Sequence, residues 1–229
     1  MKIKCAIFDF DGTLFDSMFI WDTAGEVYLR SQGKVPKPSL QEDVRPMSLE
    51  QSARYLQKEY GLPLSVEEIM AGINKCVEDF YLHTVLPKPG VVDFLDALKR
   101  NEISMCIATA SDRYQVEAAL NRCGMAHYFD AIFTCGEVGH GKDEPFLFRT
   151  AMAHFAADRP GTLVFEDALH AVQTAKADGF QVAAVFDHSE PRQTEIRALA
   201  DCFIPDFEHT EDFWRLCHED ENSVIHRRK

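Results

Sequence analysis

The sequence predicts an α/β protein with a doubly wound parallel sheet and a small helical domain inserted after the first strand. Three observations support this fold class. Short, continuously apolar runs alternate with longer helical patterns, as is typical of parallel strands buried on both faces. The repeated strand–helix–strand order requires right-handed crossovers. Between about residue 16 and residue 86, helical patterns follow one another with no convincing strand.

Six apolar runs are the predicted strands, and turn and capping residues separate them from the helices. Asp112 with Gln115 three residues later predicts a helix start, and Gly124 and Gly179 predict helix ends. The predicted strands are Cys5–Phe10, Ile103–Ala108, Ala131–Thr134, Thr162–Phe165, Val182–Phe186 and Cys202–Ile204.

The inserted segment contains three predicted helices. The first carries Trp21, the second begins at a capping box of Ser48 and Gln51, and the third begins at one of Ser65 and Glu68. We therefore expect three parts in the chain. They are an α/β core of residues 1–15 and 88–218, a helical cap domain of residues 16–87, and a polar tail of residues 219–229.

Composition and charge exclude several classes of protein. The 229 residues are 46% hydrophobic and carry a formal net charge of −13, which indicates a packed and acidic protein. Such a surface repels nucleic acid and anionic lipid, so we expect neither as a partner. An anionic small ligand stays possible, because a metal or a few cations can invert the field inside a cleft.

Cysteine usage and the apolar runs predict the compartment. No apolar run reaches the 18 or so residues that a membrane span needs, and acids interrupt the apolar start of the chain. The seven cysteines are scattered without a CxxC pair, which favours reduced thiols over disulfides or a zinc site. We expect a cytoplasmic protein that is a monomer or a weak dimer.

Acidic residues follow two of the predicted strands. Asp9 and Asp11 point the same way if the first strand continues through both, although two aspartates before a glycine also suit a turn. Glu166 and Asp167 end the fourth strand, where Asp167 could instead only cap the next helix. Ligands of doubly wound sheets bind outside the carboxyl ends of the strands, so together these acids predict a Mg²⁺ site.

Two further segments supply groups suited to phosphate. The second strand ends at Thr109 and Ala110, where a hydroxyl can bind a phosphate oxygen. The alternative is a helix cap or turn residue, a role that Ser111 also suits. Lys142 lies before the helix that begins near Pro145, and it can meet an anionic ligand or a carboxylate. A lysine in isolation is more often a solvated surface charge.

The order of these motifs resembles the haloacid dehalogenase superfamily. The chain carries the DxDGT motif, then a threonine after a second strand, then a lysine, then a Glu-Asp pair, from Ile7 to about Phe186. It is most similar to the phosphatase and β-phosphoglucomutase branch, in which a helical cap follows the first motif. The resemblance implies a Rossmann-like core and phosphoryl transfer from a small phosphorylated metabolite, such as a sugar phosphate.

The resemblance also implies a role for each matching residue. Asp9 would be the nucleophile that forms an aspartyl-phosphate, and Asp11 would be the general acid and then the general base. The implied Mg²⁺ ligands are Asp9, Asp167, the backbone carbonyl of Asp11, and Glu166 directly or through an intervening group. Thr109, Ala110 and Lys142 would hold the phosphate oxygens, and Lys142 would also offset the charge of Asp9.

Two alternatives to a phosphatase stay open. A hexose-phosphate mutase of the same branch carries a histidine in the first cap helix, and Trp21 occupies about that position here. Trp21 and Arg45 are candidate substrate contacts in the cap, although packing and a solvated charge are equally simple explanations. A noncatalytic phosphoacceptor domain has similar acidic strand ends, but it needs no inserted helical domain.

Overall fold

The computed structural model describes residues 3–44, 47 and 49–223, and it contains one six-stranded parallel sheet. The strand order is β3-β2-β1-β4-β5-β6, so the predicted doubly wound α/β fold is confirmed. The chain builds one half of the sheet outward from β1 and then returns to build the other half. The strands are β1 Cys5–Phe8, β2 Ser104–Thr109, β3 Ala131–Thr134, β4 Thr162–Glu166, β5 Gln181–Val185 and β6 Cys202–Ile204.

Five predicted strands lie within one residue of their predicted bounds, and the first one is shorter than predicted. β1 ends at Phe8, and the chain turns at once through Gly12, whose φ of 72° favours glycine. Asp9 and Asp11 therefore do not lie on a continuing strand, and the prediction that strand alternation aligns them is wrong. The turn is closed by Phe15, whose backbone N–H donates to the Phe10 carbonyl oxygen at 2.9 Å.

Helices cover the sheet and bury its apolar residues. Cys5 and Ile7 pack in one cluster with Phe148, while the Phe8 ring stacks on Phe165 with centroids 4.2 Å apart. This alternation explains why the strands are apolar on both sides. The helices of the sheet domain are α5 Val91–Arg100, α6 Arg113–Arg122, α7 Cys135–Val138, α8 Phe146–His154, α9 Leu169–Ala177, α10 Gln193–Leu199 and α11 Glu211–Ser223.

The described residues between β1 and α5 contain four helices, one more than predicted. The additional helix, α2, has only five residues, so its sequence is too short to show a periodic hydrophobic pattern. The helices are α1 Phe19–Ser31, α2 Leu40–Val44, α3 Leu49–Tyr60 and α4 Val66–His83.

The predicted capping boxes have different outcomes. The Ser65 hydroxyl accepts from the Glu68 N–H and the Glu68 carboxylate accepts from the Ser65 N–H, so this box is confirmed. Asp112 is the N-cap residue of α6, so the helix start predicted there is confirmed, although its side chain makes no capping hydrogen bond. Ser48 of the remaining box lies outside the described residues.

The chain divides into two compact units. One comprises Met1–Asp16 with Leu86–Lys229, and the other is Ser17–Val85. The roles of catalytic core and cap that we predict for these segments remain predictions at this point. Helix α11 extends to Ser223, beyond the start of the tail predicted at Glu219. None of the described helices combines the length and apolar character needed to cross a bilayer.

Candidate active site

The carboxyl ends of β1 and β4 lie side by side and carry the candidate acids. Phe8 pairs with Phe165 in the sheet, and the Asp9 N–H donates to the Phe165 carbonyl oxygen at 2.9 Å. Asp9 thus leaves β1 beside Glu166, the last residue of β4. Ligands of doubly wound sheets bind where the strand order reverses, which is the position of β1 here.

A group of three buried carboxylates occupies this position. Asp9, Glu166 and Asp167 each offer an oxygen, and these oxygens lie within 4.8 Å of one another. Burying like charges together is unfavourable unless a cation neutralises them. Carboxylate oxygens are ligands that Mg²⁺ prefers, so the donor set fits a divalent cation of that kind.

Lys142 lies against the same carboxylates. Its Nζ is 2.5 Å from Asp9 Oδ1 and 2.6 Å from Glu166 Oε1. The side chain is only 6% exposed, so the alternative of a solvated surface lysine does not apply. The loop between α7 and α8 delivers Lys142 to this point, although the residue is 133 positions from Asp9 in the chain.

Burial and charge shift the protonation of the cluster. Burial raises the pKa of Asp9 to about 8, because the effect of burial is larger than the lowering effect of the Lys142 charge. Burial also raises the pKa of Asp167 well above its usual value, and the charges of Glu166 and Asp9 add to that effect. Burial would lower the pKa of Lys142, but Asp9 and Glu166 together raise it. The lysine is therefore charged, and a metal ion would displace protons from the acids.

Glu166 fills a structural position at the start of α9. Its Oε2 accepts hydrogen bonds from the Asp167 N–H at 3.0 Å and the Ala168 N–H at 3.2 Å. Its Oε1 meets Lys142, so both oxygens have partners. The side chain is fully buried. Glu166 can thus orient Asp167 and Lys142 as well as contribute to a metal site.

Asp11 lies at the same end of the sheet but has a different environment. It is only partly buried, and the Ser111 hydroxyl donates to its Oδ2 at 2.5 Å. Asp11 is not one of the three clustered carboxylates. A more accessible carboxyl group is the kind that can exchange protons with a reacting alcohol or water.

Two site contacts escaped sequence reasoning. The Thr13 hydroxyl donates to Asp167 Oδ1 at 2.9 Å, across 154 positions in the chain. In the sequence Ser111 suits a helix cap or turn, whereas in the structure its hydroxyl contacts Asp11. Thr13 lies within the DxDGT motif, so the motif itself was the available signal. Nothing local to Ser111 identifies its partner.

Thr109 and Ala110 lie at the carboxyl end of β2, the strand next to β1. Thr109 is buried, and its hydroxyl oxygen accepts from the Ser111 N–H at 3.0 Å. Ala110 is exposed, as expected for a residue whose backbone N–H is to meet a ligand. The prediction that these two residues hold phosphate remains a prediction.

The candidate substrate residues of the helical unit have separate outcomes. Trp21 is 54% exposed and lines a cavity of about 350 Å³ within this unit. Asp22, Met47, Ser52 and Asn74 also line the cavity, so apolar, uncharged polar and acidic groups are mixed there. A site of this size suits a small organic group. Arg45 lies outside the described residues.

Comparisons with known proteins place the chain among phosphatases. A family model of haloacid dehalogenase-like hydrolases matches residues 6–185. The probable pseudouridine-5'-phosphatase of Drosophila melanogaster is 30% identical over 194 residues, covering 81% of this chain and 83% of that protein. A phosphorylated carbohydrates phosphatase of Thermotoga maritima is 22% identical over 179 residues, with coverages of 78% and 83%.

A solved structure supports the same fold. A candidate β-phosphoglucomutase from Thermotoga maritima has a TM-score of 0.80 to this chain at 19% identity. The match covers 96% of this chain and 99% of that one. At this identity the likeness shows the fold and leaves the reaction open.

Proposed function

The chain belongs to the haloacid dehalogenase-like hydrolase family, and we propose that it is a Mg²⁺-dependent phosphatase of a small phosphorylated metabolite. The observation that carries this proposal is the buried cluster of Asp9, Lys142, Glu166 and Asp167 at the carboxyl ends of β1 and β4. Within the cluster, the Asp9 carboxylate is a possible acceptor for a phosphoryl group, and the Lys142 cation keeps that carboxylate oriented.

Asp9 is the proposed nucleophile. Its carboxylate oxygen attacks phosphorus and forms an aspartyl-phosphate while the bond from phosphorus to the leaving alcohol oxygen breaks. Asp11 gives its proton to that oxygen. Water then attacks the same phosphorus, its proton goes to Asp11, and the bond to Asp9 breaks with release of inorganic phosphate.

Lys142 fixes the nucleophile before the reaction. Its contact with Asp9 Oδ1 holds one carboxylate oxygen and offsets the negative charge that would repel a phosphate. Thr109 and the Ala110 N–H are the proposed donors to the phosphate oxygens that are not transferred. Thr109 ends β2 and Ala110 follows it, and β2 pairs with β1, the strand that Asp9 follows.

The carboxylates of Asp9 and Asp167, with the backbone carbonyl of Asp11, are the proposed Mg²⁺ ligands, and Glu166 supports them. When bound, the ion supplies charge neutralisation to the phosphoryl group. Thr13 restrains Asp167 through its hydroxyl, and Glu166 restrains it through the Asp167 N–H. These contacts set the orientation of the ligand in advance.

We assign the helical unit the role of a cap that selects the substrate. Its place in the chain between β1 and α5 and its cavity support this role. The named relatives include a pseudouridine-5'-phosphatase and a carbohydrate phosphatase, which supports a phosphorylated sugar or a similar phosphomonoester. The cytoplasm remains our predicted compartment, on the basis of the cysteine pattern.

The test is phosphate release from a panel of sugar and nucleotide monophosphates, with Mg²⁺ or with EDTA. We expect release only with Mg²⁺ and none from Asp9→Asn. Asp201→Asn is the control, because Asp201 is an ion-paired carboxylate at the amino end of β5, away from the carboxyl ends of the strands. Conversion of a hexose 1-phosphate to the 6-phosphate without free phosphate would instead indicate the mutase. Stable phosphorylation of Asp9 without turnover would indicate a phosphoacceptor.

A further inference from the structure

The loop between β5 and α10 contacts the segment that carries Asp167. Glu190 of this loop is only 9% exposed, and its Oε2 accepts a hydrogen bond from the Leu169 N–H at 3.1 Å. Leu169 is the first residue of α9 and is buried. First-turn N–H groups of a helix have no partner within the helix, so Glu190 supplies one from a different strand end.

Arg192 holds the Glu190 carboxylate in place. The Arg192 Nε is 2.9 Å from Oε1, its Nη2 is 3.1 Å from Oε2, and its backbone N–H donates to Oε1 at 3.0 Å. Burial alone would raise the pKa of Glu190, but the hydrogen bonds from Arg192 lower it below its usual value. The carboxylate is therefore charged, which is favourable beside the positive end of a helix.

Two carboxylates thus hold three consecutive backbone N–H groups. Glu166 accepts from Asp167 and Ala168, and Glu190 accepts from Leu169. The segment is held from the β4 side and from the β5 side. Asp167 lies at its beginning, so the backbone position of this carboxylate depends on both contacts.

We propose that Glu190 is a positioning residue that fixes the Asp167 carboxylate for metal binding. This inference rests on the proposed function, since it requires that Asp167 binds a metal ion. Without the Glu190 carboxylate the Leu169 N–H is left buried and unpaired, and the segment must move to satisfy it. Groups that orient a metal ligand in this way typically change metal affinity when they are removed.

The test is Mn²⁺ binding to the full-length protein, measured by titration calorimetry. We expect Glu190→Ala to weaken binding about tenfold. Glu190→Gln keeps an acceptor for the Leu169 N–H, and we expect it to restore affinity to within about threefold of the wild type. Backbone hydrogen exchange should show faster exchange at Leu169 in Glu190→Ala.

Asp201→Ala is the matched control for a general loss of stability. Asp201 Oδ2 accepts from the Val182 N–H at 2.8 Å and pairs with Lys176, so it too is an ion-paired carboxylate that holds a backbone N–H. Asp201 contacts the start of β5 and the end of α9, whereas Glu190 lies beyond the end of β5 and contacts the start of α9. We expect Asp201→Ala to lower the melting temperature and to leave Mn²⁺ affinity unchanged.

The outcomes separate this inference from the proposed function. If the wild type binds Mn²⁺ and Glu190→Ala binds it equally well, or if Asp201→Ala weakens binding as much, the positioning role is overturned while the proposed function stands. If the wild type binds no Mn²⁺, the metal dependence of the proposed function is wrong, and the role of Glu190 falls with it.

Discussion

Lys142 is the residue on which the charge balance of the site depends. It is the one cation among the described residues that contacts both Asp9 and Glu166, and Asp167 lies beside them. A surface lysine has water to solvate it, whereas Lys142 is buried and pairs with two carboxylates. The sequence could place Lys142 in the right loop, yet burial decides its role, and burial depends on the packing of distant segments.

Replacing Lys142 by methionine tests this charge balance. Met keeps much of the volume but leaves the carboxylates without their cation, and we expect a loss of about 3 kcal/mol in the free energy of unfolding without metal. Lys176→Met removes a more exposed ion pair with Asp201 and should cost about 0–1 kcal/mol. Urea denaturation measures both variants. Equal effects would show that Lys142 behaves as a surface charge.

The raised pKa of Asp9 predicts a dependence of stability on pH. Between about pH 4 and pH 8 the metal-free folded state holds protons that the unfolded state has lost, so stability falls as pH rises. A metal ion needs the deprotonated acids, so its stabilising effect grows over the same range. Melting temperatures in EDTA and in Mg²⁺ from pH 6 to pH 9 should therefore diverge. A difference in melting temperature between Mg²⁺ and EDTA that stays constant with pH would contradict the raised pKa of Asp9. In Asp9→Asn this difference should change less with pH.

At the scale of elements, local signals predicted most strands and the starts of α4 and α6 well. The continuous apolar runs correspond to β2 through β6, and the Ser65–Glu68 capping box starts α4. The end of β1 was missed because Phe10 is as apolar as the strand before it. Phe10 instead stacks on Phe15 in the turn, with centroids 4.3 Å apart, and only the tertiary structure shows this contact.

The cap of α4 offers a test at this scale. Ser65→Ala removes the side-chain acceptor for the Glu68 N–H, so we expect a loss of about 1 kcal/mol in the free energy of unfolding. Ser31→Ala is the control, since the Ser31 hydroxyl donates to a carbonyl group near the end of α1 and caps no helix start. Chemical denaturation followed by circular dichroism compares the two. A larger effect at Ser31 would contradict the capping role.

At the scale of the whole molecule, the sequence predicted the fold class and the four residues of the buried cluster. Three of them lie at the carboxyl ends of β1 and β4, and Lys142 lies in the loop between α7 and α8. The parallel topology places the carboxyl ends of neighbouring strands together, so these residues meet. The DxDGT motif singles out Thr13, but the motif does not identify Asp167 as its partner, and nothing local to Ser111 identifies Asp11. Each contact joins residues at least 100 positions apart, so no local pattern specifies the pairing.

The most direct test of the central claim is mass spectrometry of the enzyme quenched with acid during turnover. Phosphoryl transfer through Asp9 predicts that the peptide containing this residue gains the mass of one phosphoryl group, with Mg²⁺ and a hydrolysed substrate present. Asp9→Asn should show no such gain. Steady release of phosphate without this modification, or the modification of another residue, would contradict the role of Asp9.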